Sequence, residues 1–415
     1  MSLGLTVALG ACGSDVAVNG GDRDAAVIDA VPAIDAVPAI DAPPPPPIPA
    51  DCLEAANRGL AWLVTKQAAD GSWGTAHPVA ATGFAVLKLE TYAAEIGQSP
   101  FSPNFVYVDE VQRGLDYLFS KAKRVPITAQ NAGNPDSNAD GIGFEFSTLM
   151  YDNAITLMAI VAGAEPDRMV LVPGSVVNGL TYKAVAEDAV DYFAYAQSDS
   201  AASTATACTR GGWRYAPFNR SAGPGDNSVT QFATLALEYA RHSNYRYQIS
   251  IPDWVTTELQ DWVTCIQNHA GGANDGASGY TNATNTLNAY KTGALIQQSA
   301  FLGDNTNHPR VTAALGYLGR VWASTTGNGW RAAAVSDYLA MYSIMKGMES
   351  MAITDLGGIN WYREFCDRLK AEQLPDGSWP SSRYERERIG TSGLNSTEWA
   401  LLVLERAAPP PEVIN

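Results

Sequence analysis

The sequence contains few charged residues for its length, and most of its charges are negative. Only 17% of the 415 residues are Asp, Glu, Lys or Arg, and the formal net charge is -16. Such a chain repels nucleic acids and anionic membrane surfaces, because both carry negative charge. The sequence has no basic patch and no apolar run of about 18 residues, which a spanning helix would need. We therefore predict no nucleic-acid partner, and membrane contact only through a lipid anchor.

Histidine and cysteine are also scarce, with four His and five Cys in the whole chain. Because no Cys-x-x-Cys or His-x-x-His spacing occurs, we predict no metal site and no cofactor. If one cysteine near the N-terminus carries a lipid, the remaining even number permits two disulfides in more than one connectivity. Those remaining cysteines are Cys52, Cys208, Cys265 and Cys366. Four buried free thiols are the alternative.

The two ends of the chain differ in composition from its middle. Residues 1–12 are apolar and end in Leu9-Gly10-Ala11-Cys12, which is similar to a bacterial lipobox. A signal peptide requires a basic residue before its apolar stretch, and none is present here. A cysteine that occurs in an apolar segment by accident is therefore the alternative. Residues 13–50 are rich in Asp, Ala and Pro and predict a disordered tether, while residues 409–415 predict a disordered tail. We expect an extracytoplasmic protein of the bacterial cell envelope, lipid-anchored through Cys12 or periplasmic.

Between these ends the chain repeats one unit. A Gln-x3-Gly-x-Trp string stands complete near residue 70 and near residue 376, and partial copies lie between them. The residues that carry it are Gln67, Gly71 and Trp73; Gln373, Gly377 and Trp379; and the tryptophans Trp213 and Trp330. Six units follow one another at intervals of roughly 50 to 75 residues. We expect a structural role, in which the Gly reverses the chain, the Gln bridges to backbone and the Trp covers it.

Each unit contains two helices of different character. The first has one apolar stripe, as at Val111, Leu115 and Leu118, and is expected to keep one face in water. The second is apolar on nearly all sides, as over residues 229–240, and must be covered on all sides. Two concentric layers satisfy both patterns. We therefore predict an all-α fold over residues 51–408, in which six helical hairpins close into a ring.

The first unit carries a specific resemblance. The string Arg58-Gly59-x2-Trp62-Leu63, continued by the first Gln-x3-Gly-x-Trp, matches the QW motif of squalene–hopene cyclases and related triterpene cyclases. Gly211-Gly212-Trp213, followed by Asp226-Asn227, is similar to bacterial prenyltransferase/squalene-oxidase repeat proteins. The resemblance implies the (α/α)6 toroid of terpenoid cyclases and protein prenyltransferases. It implies an isoprenoid transferase or isomerase activity less strongly, because one fold carries many functions.

The catalytic motifs of those enzymes are absent from this sequence. Triterpene cyclases protonate their substrate with Asp-x-Asp-Asp, and the nearest string here is Asp136-Ser137-Asn138-Ala139-Asp140. It lacks the paired carboxylates that would raise the pKa of one of them, so we interpret it as an ordinary loop. The zinc ligands of prenyltransferases are not found either.

In a closed ring the starts of the inner helices converge on a central cavity, so polar residues there are candidates for ligand binding. We predict Asp152 and Asp337 as a catalytic acid–base pair. The other residues predicted to line the cavity are Tyr151, Asn153, Asp226, Gln231, Tyr290, Lys291, Tyr338 and Glu398. Helix capping by the aspartates and an outward-pointing lysine are the structural alternatives. The set suits an isoprenoid, a glycan or another small ligand.

The ring also orders the cysteines. Cys52 precedes the first outer helix and Cys366 lies in the sixth, so closure makes them neighbours. We expect Cys52 to pair with Cys366 and Cys208 with Cys265. For function, the missing motifs favour a binding or scaffold module. The alternative is an enzyme that uses the central cavity, as an isoprenoid transferase or cyclase or as a polysaccharide lyase or glycosidase.

Overall fold

The computed structural model describes residues 47–199, 208–217, 224–332 and 334–409. The predicted signal peptide with Cys12, most of the predicted tether and the predicted tail after residue 409 lie outside the described residues. No helix of the described residues has the length and hydropathy needed to cross a bilayer.

Helices alternate between an outer and an inner layer along the chain. The outer helices are α1 (Ala50–Val64), α3 (Val108–Ser120), α5 (Tyr182–Ala196), α7 (Asp253–Ile266), α9 (Pro309–Val321) and α11 (Trp361–Glu372). The inner helices are α2 (Pro78–Glu95), α4 (Met150–Ala162), α6 (Asn227–Arg241), α8 (Ala289–Phe301), α10 (Tyr338–Ser350) and α13 (Leu394–Leu404). A short helix, α12 (Arg383–Arg388), precedes α13 and belongs to neither layer. The fold is the α/α toroid that the sequence predicted.

The inner helices close into a ring. Each packs against the next in chain order, and the last, α13, packs against the first, α2. Every residue of α6 except Arg241 is buried, whereas α3 buries one stripe that includes Val111, Leu115 and Leu118. The different apolar patterns of the two helix types therefore separate them into two layers.

Two short strands interrupt the helical pattern in the second repeat. Strand β1 (Lys123–Pro126) pairs antiparallel with β2 (Ile142–Glu145), and Pro126 lies opposite Ile142. The predicted all-α fold did not include these strands. Strand β2 packs against α5, the outer helix of the next repeat.

The turns between outer and inner helices repeat one set of contacts four times, and we call each set a clasp. In the first clasp the Gln67 side-chain amide donates to the carbonyls of Gly71 and Glu110, both at 3.0 Å. Glu110 belongs to the next outer helix, so the glutamine joins two repeats. The other clasps bind the same way through Gln197 (to Gly211 and Val255), Gln267 (to Gly276 and Arg310) and Gln373 (to Gly377 and Ala55).

Two further contacts fix each complete turn. The indole N–H of Trp73 donates to the Leu63 carbonyl at 2.9 Å, and its backbone N–H donates to Thr82 Oγ1 at 2.9 Å. Trp213 and Trp379 make the equivalent contacts in their own repeats. In the clasp of the fourth repeat the glycine is Gly276, nine residues after Gln267, because a short 3-10 turn over Gly272–Asn274 lengthens the loop.

Both expected disulfides are present. Cys52 is bonded to Cys366 across a sequence separation of 314 residues, and Cys208 is bonded to Cys265. The first disulfide joins α1 to α11 where the ring closes, beside an ion pair of Asp51 with Arg363 at 2.7 Å. Disulfides persist in oxidising compartments, which points to a location outside the cytosol.

Candidate active site at the mouth of the ring

The N-terminal ends of the inner helices surround an open mouth at one face of the ring. A first pocket of about 240 Å³ has mainly apolar walls, from Phe84, Ile155, Phe232 and Trp399 among others. Polar side chains stand at its edge, and they are those of His77, Tyr151, Asp152, Arg388 and Asn395.

A second pocket adjoins the first and is more polar. It has a volume of about 490 Å³, and its lining includes Tyr280, Tyr290, Lys291, Asp337 and Arg383. Three residues, Tyr215, Tyr384 and Arg388, line both pockets. The two pockets are therefore parts of one mouth with an apolar side and a polar side.

Aromatic side chains from alternate inner helices form the floor. Phe84 of α2, Phe232 of α6 and Tyr342 of α10 meet with ring centroids 5.9 to 6.0 Å apart. Phe84 and Phe232 also line the first pocket, while Tyr342 is fully buried beneath them. The aromatic floor closes the axis of the ring, so the mouth is a shallow site rather than a long channel.

Lys291 and two aspartates set the charge of the polar side. The Lys291 ammonium lies 3.6 Å from the centroid of the Tyr290 ring, in a cation–π contact. Burial lowers the pKa of Lys291 to about 8, although Asp226 and Asp337 act in the opposite direction. Burial raises the pKa of the Asp337 carboxyl, whose Oδ1 also accepts from the Ala340 N–H at 3.0 Å and caps α10.

The predicted acid–base pair is divided between the pockets. Asp152 lines the first pocket and Asp337 lines the second, with the shared residues Tyr215, Tyr384 and Arg388 around both. Burial raises the pKa of the Asp152 carboxyl, while a hydrogen bond with Ser147 acts against that shift. A ligand that filled both pockets would therefore meet one of these carboxyls at each end.

The structure brings some of the other predicted residues to the mouth and not the rest. Tyr151, Tyr290 and Lys291 line the pockets. Asp226 is fully buried just behind them, where its Oδ1 accepts from the backbone N–H groups of Ser228 and Val229 and caps α6.

Besides Asp226, four predicted residues line neither pocket, because their side chains are used elsewhere. Asn153 accepts from the backbone N–H groups of Phe146 and Ser147, and so fixes the turn before α4. The remaining three bind other side chains: Gln231 accepts from Ser343 of α10, Tyr338 donates to Glu372 of α11, and Glu398 accepts from Asn395 of its own helix, α13.

Several mouth residues were missed by the sequence analysis because they stand on loops or on α12, outside the repeat. The hydroxyls of Tyr215 and Tyr280 are hydrogen-bonded to each other at 2.6 Å, across two repeats. Tyr384 and Arg388 lie on α12, one turn apart. The alternation of Arg with Tyr and Glu over residues 383–388 was the available signal, but no repeat pattern places that segment over the ring.

Comparison with known proteins identifies the type of fold but not the function. No protein-family model matches the chain, and no curated protein sequence matches it. A family 76 glycoside hydrolase from a bovine Bacteroides thetaiotaomicron strain is similar in structure, with a TM-score of 0.51 and 11% identity over 86% of this chain and 77% of that one. A type II terpene cyclase from Scytonema, in complex with geranylgeranyl dihydroxybenzoate, gives a TM-score of 0.48 and 13% identity over 86% and 97%. A glycosidase in complex with glucose gives the same TM-score, identity and coverage. At these identities the similarity establishes the α/α toroid alone.

Proposed function

We propose that the mouth binds a short, uncharged glycan, and that the protein is a carbohydrate-binding toroid of the cell envelope. The observation that carries this proposal is the composition of the mouth, in which tyrosine rings occur together with charged groups of both signs. Five tyrosines line the two pockets: Tyr151, Tyr215, Tyr280, Tyr290 and Tyr384. Aromatic rings cover the C–H faces of sugars, while carboxylates and ammonium or guanidinium groups bind their hydroxyls.

The charges of the polar side favour a neutral ligand. Lys291, Arg383 and Arg388 stand there with Asp337 and Glu387, so neither sign dominates. Arg383 is already paired with Glu387 at 2.7 Å. A polyanion would meet the two acids, whereas a polyhydroxylated ligand uses donors and acceptors equally.

The aromatic floor argues against a long isoprenoid. A prenyl chain needs a deep apolar cavity, but Phe84, Phe232 and Tyr342 close the axis below the first pocket.

The test is calorimetric titration of the full chain with a panel of neutral oligosaccharides and with an isoprenyl alcohol. We expect an oligosaccharide to bind, and Tyr384→Ala to weaken it at least tenfold, since one aromatic contact is worth about 0.5 to 1.5 kcal/mol beyond its buried area. Tyr92→Ala is the matched control, because Tyr92 lies near the opposite end of α2 from the mouth. Binding of the isoprenyl alcohol without any oligosaccharide would contradict the proposal.

Hydrolysis is the second candidate, and the separated carboxyls favour it. Asp152 and Asp337 have raised pKa values and face adjoining pockets. A protonated carboxyl can act as general acid while another acts as base or nucleophile. If the bound oligosaccharide is cleaved, new reducing ends appear, and Asp152→Asn and Asp337→Asn should each abolish their release while binding is retained. Unchanged release in both variants would remove these residues from catalysis.

We also propose that the protein is anchored to a membrane outside the cytosol. We infer that Cys12 carries lipid and that residues 13–50 hold the toroid away from a membrane surface. Cys12→Ser should then move the protein from the membrane fraction to the periplasm. An unchanged distribution would remove the anchor from the proposal and leave the glycan site unaffected.

A further inference from the structure

The second repeat has no clasp, and a different contact stands in its place. No Gln–Gly–Trp turn joins this repeat to α5; the segment between β1 and β2 packs there instead. The segment contains the string Asp136-Ser137-Asn138-Ala139-Asp140, followed by Gly141. Oxygen-bearing side chains at its first, third and fifth positions, with Gly at the sixth, are the pattern of a calcium-binding loop.

The loop is folded so that its three side chains turn inward. Asp136 accepts from the backbone N–H groups of Asp140 and Gly141, at 3.2 and 2.9 Å. Asn138 Oδ1 accepts from the Asp140 N–H at 3.0 Å, and Asp140 Oδ1 accepts from the Ile142 N–H at 2.8 Å. Gly141 has φ +74°, which allows the chain to reverse at the sixth position.

A backbone carbonyl is available at the seventh position, which supplies one in calcium loops. That residue is Ile142, and its partner across the strand pair is Pro126. Because the Ile127 N–H donates to the Gly141 carbonyl at 3.0 Å, Ile142 and Pro126 form a non-hydrogen-bonded pair, so β1 does not take up the Ile142 carbonyl.

The twelfth position lacks the glutamate of the standard loop, because Ser147 stands there. Helix α5 supplies carboxylates instead. Asp188 Oδ1 accepts from the Asn138 side-chain amide at 2.8 Å, and Asp191 Oδ2 accepts from the Ser137 N–H and hydroxyl at 3.0 Å. The two aspartates are three residues apart and lie on one face of the helix.

One oxygen of this cluster points to a missing ligand. Asp191 is 0% exposed, and its Oδ1 has no hydrogen-bond partner among the described residues. An isolated buried carboxylate oxygen is costly unless a positive charge or a donor meets it. Burial and the nearby charges of Asp136 and Asp140 also raise the pKa of the Asp191 carboxyl to about 6.

From this geometry we propose that Asp136, Asn138, Asp140 and the Ile142 carbonyl, with Asp188 and Asp191 of α5, bind one calcium ion that joins the second repeat to the third. The ion would supply the link that a glutamine supplies in the four clasps. Calcium fits better than magnesium, because carboxylate, amide and carbonyl oxygens from a loop and a helix match its 6–8 ligands, whereas magnesium retains waters.

The proposal is tested on the full chain after treatment with a chelator. We expect calorimetry to show one calcium ion per chain and magnesium to bind much more weakly. Calcium at a hundredfold excess over its dissociation constant should raise the melting temperature by about 4 to 8 °C, since ligand binding stabilises the folded state. Absence of both heat and melting shift at about 10 mM calcium would overturn the proposal, because even weak extracellular sites bind below that concentration.

Two variants separate ion binding from a purely structural role. Asp136→Ala and Asp191→Asn should each weaken calcium binding at least tenfold. Without calcium, Asp191→Asn should be as stable as the unaltered protein or more so, because it removes a crowded charge. Asp109→Asn, an exposed residue in the first turn of α3, is the matched control and should keep full binding. Full calcium binding in both variants would contradict the proposal.

Terbium luminescence locates the ion. The Trp254 indole donates to the Asn134 carbonyl at 3.3 Å, so it lies beside the loop and can transfer energy to a bound lanthanide. Terbium emission excited through tryptophan should appear and be displaced by calcium. Trp254→Phe should reduce this emission but leave calcium affinity unchanged. Undiminished emission in that variant would place the ion elsewhere in the chain.

Discussion

The four clasps form the rim of the ring, and the mouth lies on the same face, but the two regions are built differently. At the rim, four glutamines bind their own turn and the next outer helix through the same atoms. At the mouth, contributions vary: the first repeat gives His77, the fourth gives Tyr290 with Lys291, and the sixth adds α12. The difference indicates that contacts repeated around the ring hold it closed, whereas each residue of the mouth is contributed by one repeat alone.

The glycines of the clasps provide the largest expected effect. Gly377 has φ +94°, and a Cβ there would lie 2.4 Å from the Arg58 carbonyl oxygen. Gly377→Ala therefore combines backbone strain with a collision against the first outer helix. We expect it to lower the free energy of unfolding by about 3 kcal/mol, measured by urea denaturation.

Gly358 is the matched control for this comparison. Its φ is +91°, but a Cβ there would have no neighbour within 4 Å. Gly358→Ala should cost only the strain, about 1 kcal/mol. Equal losses in the two variants would mean that the contact between Gly377 and α1 does not hold the ring closed.

The clasps and the mouth also differ in how far the sequence predicts them. Gln67 and Gln373 stand at a fixed spacing from Gly and Trp, and contacts that depend on local geometry repeat with the sequence. The two-layer ring and both disulfides follow from the same periodicity. Tyr215 and Tyr280 come together from different repeats, so their contact depends on loop paths that have no period.

The loop at residues 136–141 shows a second kind of limit. The spacing of its oxygen ligands is visible in the sequence, but residues 136–140 alone are also typical of an ordinary polar loop, and no zinc-ligand spacing marks them as a metal site. The deciding residues, Asp188 and Asp191, are about 50 positions away in sequence, and only the packing of β2 on α5 brings them to the loop.

The pH dependence of glycan affinity tests the role of Lys291 at the mouth, and its expected effect is smaller. The pKa of Lys291 in the folded protein is about 8, so the ammonium is lost between pH 7 and 9. If this ammonium donates to the bound glycan, affinity should fall about tenfold over that range, which corresponds to about 1.4 kcal/mol. Lys291→Arg should flatten the profile, because a guanidinium stays charged. Calorimetry at several pH values measures both.

The stability of the free protein should change in the opposite direction. The folded pKa of Lys291 lies below its ordinary value of 10.5, so the unfolded chain binds more protons between pH 8 and 10.5. The contribution of Lys291 to stability therefore rises over that range and is lost as pH falls through 8. Deprotonation of Lys291 is thus expected to lower the affinity for the glycan and to stabilise the fold. A loss of affinity caused by this deprotonation therefore cannot result from unfolding. A flat affinity profile in the unaltered protein would remove Lys291 from the binding site.

The smallest expected effect lies at the floor, where the mouth meets the core. The Tyr342 hydroxyl is buried without a hydrogen-bond partner among the described residues, whereas the Tyr239 hydroxyl accepts from Lys346 Nζ at 3.0 Å. Tyr342→Phe should therefore be neutral or stabilising by up to about 1 kcal/mol, and Tyr239→Phe should destabilise by about 1 to 2 kcal/mol. Urea denaturation of both variants measures the difference. If Tyr342→Phe destabilised the protein equally, its hydroxyl would have a polar partner such as a bound water, and the floor would be wetter than an aromatic plug. The mouth would then extend deeper than its two pockets, and it could accommodate a long ligand.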